Sequence, residues 1–357
     1  MFLYSIVHIR ILRGYDGGMD VLSDVIGTVR TGRPNAARVE WHSPWGMRFP
    51  EVSGVGFQVV LQGSCVLSVE GGEPLHLGVG DIVFLPNGQG HVLAEESASP
   101  VRDLCDLLPH GRDADPGAPV TELVCGPQGA GPRFGSAAVG EDGRGRPSCV
   151  TLGGSYHTCG ARPHPMLSEL PRLVHLPARV GARTELGAAV ELLGAELDRP
   201  RPGGDAIVPS LLEMLLVYIL RTYIEENRSA AARGWLGVMR DPAVYAAVQA
   251  VHSDPAHPWT VAGLGERAGL SRAAFAKRFT ALAGLSPLAY VTWWRLTTAG
   301  RMLQENDDPI SAIAARVGYS SQFAFANAFK REFGLSPGRY RAGTPLPAPP
   351  AAAPSAG

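Results

Sequence analysis

Lysine is almost missing from this chain: of 32 basic residues only Lys277 and Lys330 are lysines. An arginine-biased composition accounts for the scarcity, but the two survivors occupy matching places in a repeat near the C-terminus, which hints at a shared role. Long apolar runs are also scarce. No unbroken run reaches the ~20 residues that span a bilayer. The apolar start from Met1 to Leu12 is interrupted by His8 and Arg10 and lacks a small-residue cleavage site. A chain that is neither anchored nor exported is expected, with a cytoplasmic location and no membrane partner. Cysteines are five, an odd number at irregular spacing. That excludes the disulfide framework of a small secreted domain and makes reduced thiols the default.

Net charge is nearly absent too, at -1, yet this hides a division. Between Ser229 and Gly343 there are 13 Lys+Arg against 7 Asp+Glu, a net of +6, which leaves -7 for the rest. One region suits a polyanion and the other does not. A length of 357 residues and 45% hydrophobic content exceed what one core usually organises, so at least two folded units are expected.

Comparing the chain with itself exposes a duplication. Val261 to Tyr290 reads VAGLGERAGLSRAAFAKRFTALAGLSPLAY, and Ile310 to Tyr340 reads ISAIAARVGYSSQFAFANAFKREFGLSPGRY. The offset is 49 up to Gly269 and Gly318 and 50 beyond the turn, where Phe275 pairs with Phe325 and Phe279 with Phe329. Each copy has the grammar of a helix-turn-helix: a short amphipathic helix, a glycine to end it, a serine cap (Ser271; Ser320 or Ser321) and a second amphipathic helix. The phenylalanines, at three- and four-residue spacing, must face a core. The opposite faces carry Ala273, Ala276, Lys277 and Thr280 in one copy, and Phe323, Ala326, Asn327 and Lys330 in the other. Small residues let a helix approach base edges closely, while Arg272, Lys277, Gln322 and Asn327 supply the donors that major-groove readout requires. Phe323 reads first as packing, with a thymine methyl as the alternative.

Between the copies, Pro287 through Leu303 predicts a single helix of roughly 25 Å, of the order of one turn of B-DNA. Arg295 and Arg301 on this strut, with Arg331, Arg339 and Arg341, are expected at phosphates, where they set register without reading sequence. The implied partner is double-stranded DNA. Any helical bundle with glycine turns would share part of this pattern, but not the duplication, the local charge and the polar-plus-small faces together.

These motifs, Ala268-Gly269-Leu270-Ser271 with Phe275 and Phe279, then Val317-Gly318-Tyr319, Phe329-Lys330, Gly334-Leu335-Ser336-Pro337 and Tyr340-Arg341, resemble the DNA-binding domain of the AraC/XylS family of bacterial transcription regulators. The resemblance covers residues 241 to 341. It implies base readers at Arg272, Ala273, Ala276 and Lys277 and at Gln322, Phe323, Ala326 and Asn327. Family members often carry arginine where this chain has Asn327.

From Val39 to about Cys159 the pattern changes to short alternating runs broken by glycines, which predicts antiparallel β structure with strands at Val55 to Val69, Pro74 to Leu85 and Gly90 to Ala94. Gly80-Asp81-Ile82-Val83-Phe84-Leu85-Pro86-Asn87-Gly88-Gln89-Gly90-His91 has the spacing of the second cupin motif, and the resemblance implies a jelly-roll barrel serving as a sensor. It is similar to the subtype whose barrel is followed by a helical linker, a group that includes a reactive-chlorine sensor. Catalytic cupins hold a metal with a His-x-His pair that Gly56-Phe57-Gln58-Val59-Val60 lacks. His91 alone makes no closed site, and His42 or His76 would help only if folding gathered them. No metal, cofactor or catalytic residue is therefore assigned. Trp41, Trp45, Phe57 and His91 are the candidate lining of an effector pocket. Cys65, Cys105, Cys125, Cys149 and Cys159 read as buried and inert, with redox sensing as the alternative.

Leu186 to Leu197 and Ile207 to Ile224 predict two amphipathic helices, the second so apolar that it should pack on the barrel or on a twin in a homodimer, which the resemblance favours. The expected plan is an α+β multidomain chain. Residues 1-19 are a disordered or non-native lead, with Met19 as the alternative start, and 20-178 form a cupin-like sensor. Residues 179-228 form a helical linker for dimerisation, and 235-342 an all-α domain with tandem helix-turn-helix units. Residues 343-357 form a Pro/Ala-rich disordered tail. A regulator answering to a small molecule or an oxidant, with RNA polymerase a further partner, explains all of this. A cupin-type metalloenzyme with an appended DNA-binding domain explains only the barrel, and a purely architectural DNA binder only the charge.

Overall fold

The computed structural model of the chain describes residues 21–29, 33–52, 54–104, 133–139, 146–157, 164–178, 184–199, 201–227 and 234–342. The expected lead, the tail from 343, most of the expected hinge at 226–234, and Cys105, Cys125 and Cys159 lie outside these residues.

A helix, α1 (Val21–Val29), precedes the strands β1 (Arg33–Trp41), β2 (Gly46–Phe49), β3 (Gly54–Gln62), β4 (Cys65–Val69), β5 (Leu75–Leu77), β6 (Ile82–Leu85), β7 (His91–Ala94), β8 (Arg102–Asp103), β9 (Arg133–Val139) and β10 (Cys149–His157). A short α2 (Pro165–Ser168) and β11 (Val174–Leu176) follow. Two of the expected strands are each a pair. Val55 to Val69 breaks at Gly63, whose φ of +74° and close approach to the Ser148 carbonyl (an added Cβ would lie 2.2 Å away) admit only glycine. Pro74 to Leu85 breaks at a tight turn in which the Asp81 N–H donates to the Gly78 carbonyl (3.0 Å) and the Gly78 N–H to Asp81 Oδ2 (2.9 Å).

The strands form two mostly antiparallel sheets, ordered β11-β6-β3-β10-β1-β9 and β5-β4-β7-β2-β8. Alternation along β3 divides its side chains: Val60 enters a core shared with Met47, Leu67, Leu77 and Leu93 of the other sheet, whereas Phe57 and Val59 emerge on the outer face. That outer face is covered by α3 (Glu185–Asp198), capped by Thr184 Oγ1, and α4 (Gly204–Glu226). By length and composition α4 is apolar enough to cross a membrane, with 23 residues and an 18-residue stretch of mean hydropathy 1.6. This corrects the expectation drawn from unbroken runs, since Pro209, Glu213 and Arg221 interrupt the run while the stretch as a whole stays apolar. In the fold it serves as a core helix, burying Val208, Leu212, Leu215, Leu216, Ile219 and Leu220.

The remaining chain is helical: α5 (Gly234–Arg240), α6 (Pro242–Ser253), α7 (Val261–Arg267), α8 (Arg272–Ala283), α9 (Pro287–Glu305), α10 (Ile310–Arg316), α11 (Gln322–Phe333) and α12 (Pro337–Arg341). At ~1.5 Å per residue, α9 is about 28 Å long. Its two halves belong to different cores. One core runs without a break from the outer face of the six-stranded sheet through α1, α3, α4, α5 and α6 to α7, α8 and the first half of α9. The other comprises the second half of α9 with α10, α11 and α12.

Phe275 and Phe325 are both fully buried, one in each core. Replacing either with alanine should cost about 3–5 kcal/mol, but the region that loosens should differ. Phe325→Ala should raise hydrogen exchange in α10–α12 alone, and Phe275→Ala should raise it through α5–α8 and into the sheet-covering helices. Identical exchange maps would contradict the division.

Three histidines held below their ordinary range, His164 and His252 buried and His91 partly so, make stability depend on pH. His91 is held down to about 4 by burial, partly opposed by its bond to the Gln89 carbonyl. His164 lies well below the ordinary value through burial and the nearby His252, and His252 is lowered by burial against the pull of Asp24. The unfolded chain takes up these protons near pH ~6.5 and the folded chain only at lower pH, so stability is intact above about 6.5 and drains away below it. The urea midpoint should therefore be lower at pH 5 than at pH 7.5, with roughly 1–2 kcal/mol from His91 alone. Equal midpoints would refute this.

Candidate nucleic-acid interface

The faces of α8 and α11 are set by what each helix must bury. Phe275, Phe279 and Ala283 of α8, and Phe325, Phe329 and Phe333 of α11, are buried. Each helix starts on a serine. The Ala274 N–H donates to Ser271 Oγ (3.3 Å) and the Ala324 N–H to Ser321 Oγ (3.4 Å), which resolves the second cap in favour of Ser321 over Ser320.

On those outward faces Arg272, Ala273, Lys277 and Thr280 are exposed with Ala276 half-buried, and Gln322, Phe323, Asn327 and Lys330 are exposed with Ala326 half-buried. Phe323 is 77% exposed, so it is not the packing residue it first resembles. A bare phenyl ring beside amide and ammonium donors suits a surface that offers both methyl groups and hydrogen-bond acceptors. Sequence reasoning passed over Arg278, also on α8, whose guanidinium pairs with Asp241. Asp241 in turn caps α6, accepting from the Ala243 and Val244 N–H groups (3.1 Å each). The spacing within α8 carried no sign of that distant pairing.

Two arginines expected at phosphates are turned inward. Arg295 donates from Nε to the Pro255 carbonyl and from Nη2 to the His257 carbonyl, both at 2.7 Å. Its guanidinium also lies against Gly318, where an added Cβ would meet Arg295 Cζ at 3.0 Å and the Ala256 carbonyl oxygen at 2.8 Å. The turn glycine of the second helix pair thus rests on the loop that leads into the first pair, with Arg295 as the brace. Gly269, its counterpart, has nothing within 4 Å and needs only its φ of +66°. Arg341 donates from Nη2 to the Asp308 carbonyl (2.5 Å). Of the other phosphate candidates, Arg331 and Arg339 are exposed, and Arg301 is half-buried and 4.0 Å from Glu305.

The four candidate effector-pocket residues do not share one cavity. Trp41 and Trp45 stack on each other at 4.4 Å inside the inter-sheet core, with their indole N–H groups donating to Thr151 Oγ1 (2.7 Å) and Ser148 Oγ (3.2 Å). Phe57 is on the opposite face of its sheet, beneath the helices. His91 stacks on Phe49 at 4.8 Å. Its Nδ1 meets the Gln89 carbonyl (3.1 Å) and its Nε2 the Gln58 amide (3.1 Å), so both ring nitrogens are engaged. His42 is buried and His76 is exposed, and among the described residues no three His, Cys, Asp or Glu gather as a metal cluster. Cys65 and Cys149 are buried together in the inter-sheet core. The adjoining Cys149 thiol and burial push the Cys65 thiol up.

The cupin family profile matches residues 20–225, and a helix-turn-helix domain profile matches 264–343. An AraC-like transcription regulator of Streptomyces lividans is 33% identical over 331 residues, which cover 92% of this chain and 100% of the relative. The RCS-specific HTH-type transcriptional activator RclR of Escherichia coli (strain K12) is 27% identical over 305 residues, 85% of this chain and 88% of the relative. Among solved structures, the DNA-binding domain of the global transcriptional factor AdpA, in complex with a target DNA, is 33% identical, with 29% of this chain and 91% of that chain covered at a TM-score of 0.28. With a cupin domain ahead of a helix-turn-helix domain and a relative one-third identical over nearly its whole length, this chain belongs to the AraC-like transcription regulators.

Proposed function

We propose that α7–α8 and α10–α11 are tandem helix-turn-helix units, and that α8 and α11 enter successive major grooves on one side of a DNA duplex. The carrying observation is the outward display of Arg272, Lys277, Gln322, Phe323 and Asn327 on two capped helices whose other faces are anchored by buried phenylalanines. A strut of about 28 Å sets the separation. Ala273 and Ala276 keep the first helix surface low, and Lys330, Arg331 and Arg339 supply phosphate contacts. Arg295 fixes the relation between the units through Gly318 and the 255–257 loop, so we assign it to geometry rather than to DNA.

The cupin domain, taken as 20-178 and read as a closed jelly roll, is the sensor, and its signal is a small molecule or an oxidant. Linker helices α3 and α4 present Leu192 (55% exposed) and Ile207 (44% exposed), which supports a homodimer through that face. A cytoplasmic location and contact with RNA polymerase follow from the family reading alone. The engaged ring nitrogens of His91 favour a receptor over a metal-dependent enzyme.

Selection from a random duplex pool by the full chain should recover a bipartite site with half-sites about 10 base pairs apart. Lys277→Ala and Asn327→Ala should each weaken binding by about 1–3 kcal/mol and relax preference only within their own half. A loss equal on all sequences would move Lys277 to the phosphate backbone, and recovery of no shared sequence would refute base reading. Arg295→Ala should broaden the half-site spacing that the protein tolerates while leaving the preferred bases unchanged. A spacing preference as sharp as wild type would remove its role as brace.

A further inference from the structure

A carboxylate stands in the apolar face of the sensor's first helix. Val21, Leu22, Val25 and Ile26 of α1 are buried, and Asp24 among them is only 4% exposed. Such a group is tolerated when a partner meets it. The partner is His252 of α6, 228 positions along the chain, whose Nδ1 is 2.5 Å from Asp24 Oδ2. On the far side of the imidazole, Nε2 is 2.5 Å from the hydroxyl of Tyr290 on α9.

Burial keeps the imidazole neutral, so its donor and acceptor roles are fixed. Nδ1–H donates to the carboxylate, and Nε2 accepts from the Tyr290 hydroxyl. The ring is also clamped flat on Trp294, with centroids 3.8 Å apart and planes 9° apart. Tyr290 then packs on Phe279 of α8 at 5.8 Å. Three consecutive contacts therefore lead from the sensor's N-terminal helix to the buried side of the first reading helix. Helix α1 also packs on α4, α6 and α9, so it sits where the sensor and the helical domain meet.

The second unit is built otherwise. Among the described residues its core draws on positions from Leu296 to Tyr340. The resulting asymmetry is not visible in the repeat, where Tyr290 and Tyr340 occupy equivalent places.

We propose that Asp24 is a positioning residue for the first reading helix, acting through His252 and Tyr290, so that the seating of α1 sets the orientation of α8 while α11 is held by its own core and by the strut with its Arg295 brace. The sensor then speaks to DNA through one of the two units. This rests on the reading of α8 and α11 as DNA-entering helices.

The test uses the full chain and the bipartite duplex that the wild type selects, with the first half-site identified as the one at which Lys277→Ala loses preference. Asp24→Ala strands a buried N–H donor, and His252→Phe keeps a ring against Trp294 but removes both hydrogen bonds. Each should weaken binding to the intact duplex about tenfold, the scale of one lost buried hydrogen bond. On a duplex whose first half-site is scrambled, both variants should match the wild type. Asp24→Asn retains an oxygen acceptor for Nδ1–H and should restore affinity to within about twofold of wild type. Hydrogen exchange of the free proteins should quicken in α8 and stay unchanged in α11, a readout that holds even if no preferred duplex exists. Equal losses on intact and scrambled duplexes, no loss on either, or matched exchange changes in α8 and α11 would overturn the proposal.

Discussion

Two pairs of phenylalanines, Phe275 with Phe279 and Phe325 with Phe329, hold the helical half of this protein in its working orientation. Each pair stacks obliquely, with centroids at 5.6 and 5.5 Å, on the one side of its helix that faces inward. Burying them leaves a helix no choice about what it shows to solvent. The polar and small residues at the intervening positions face outward because the aromatic ones cannot. Exposure of Lys277, Asn327 and Phe323 is thus a by-product of core formation.

The same requirement is met in two different environments. The first pair completes a large core that continues into the sensor, whereas the second pair completes a small one that ends with α12. A duplicated sequence has been fitted to unequal surroundings, and the join between the halves is where they differ. Arg295 spends its donors on carbonyls of the loop before α7 and presses on Gly318, so that the guanidinium, the glycine and Ala256 of that loop meet where the two units join. A charge that reads as a DNA contact on a helical wheel becomes an internal brace, because carbonyls from a distant loop lie within its reach. Arg341 is diverted in the same way by the Asp308 carbonyl.

Within the sensor, residue type alone groups the candidate pocket residues, and the fold distributes them by parity. Along a strand neighbouring side chains point to opposite faces, so Phe57 and Gln58 cannot serve the same cavity. Trp41 and Trp45 satisfy one another and their N–H partners inside the sheet pair, and His91 is engaged by Gln58 and Gln89. The helical linker, in contrast, was legible to within a few residues, because amphipathic periodicity and the proline-glycine break at 200–204 are local signals.

What the sequence determined by itself is everything that repeats or alternates over short range. The helix pairs, their serine caps and turn glycines, the buried phenylalanine faces and the alternation of the sheet-rich first half are all written in spacings of one or two turns or a few strand residues, and the charge division is plain composition. Tertiary structure alone decided the long-range pairings. Asp24 with His252, Arg278 with Asp241 and Arg295 with the 255–257 loop join residues 228, 37 and 40 or 38 positions apart. The physical reason is that a buried charge or donor takes whichever partner packing brings within hydrogen-bond reach, and that distance is set by how sheets and helices stack rather than by spacing along the chain.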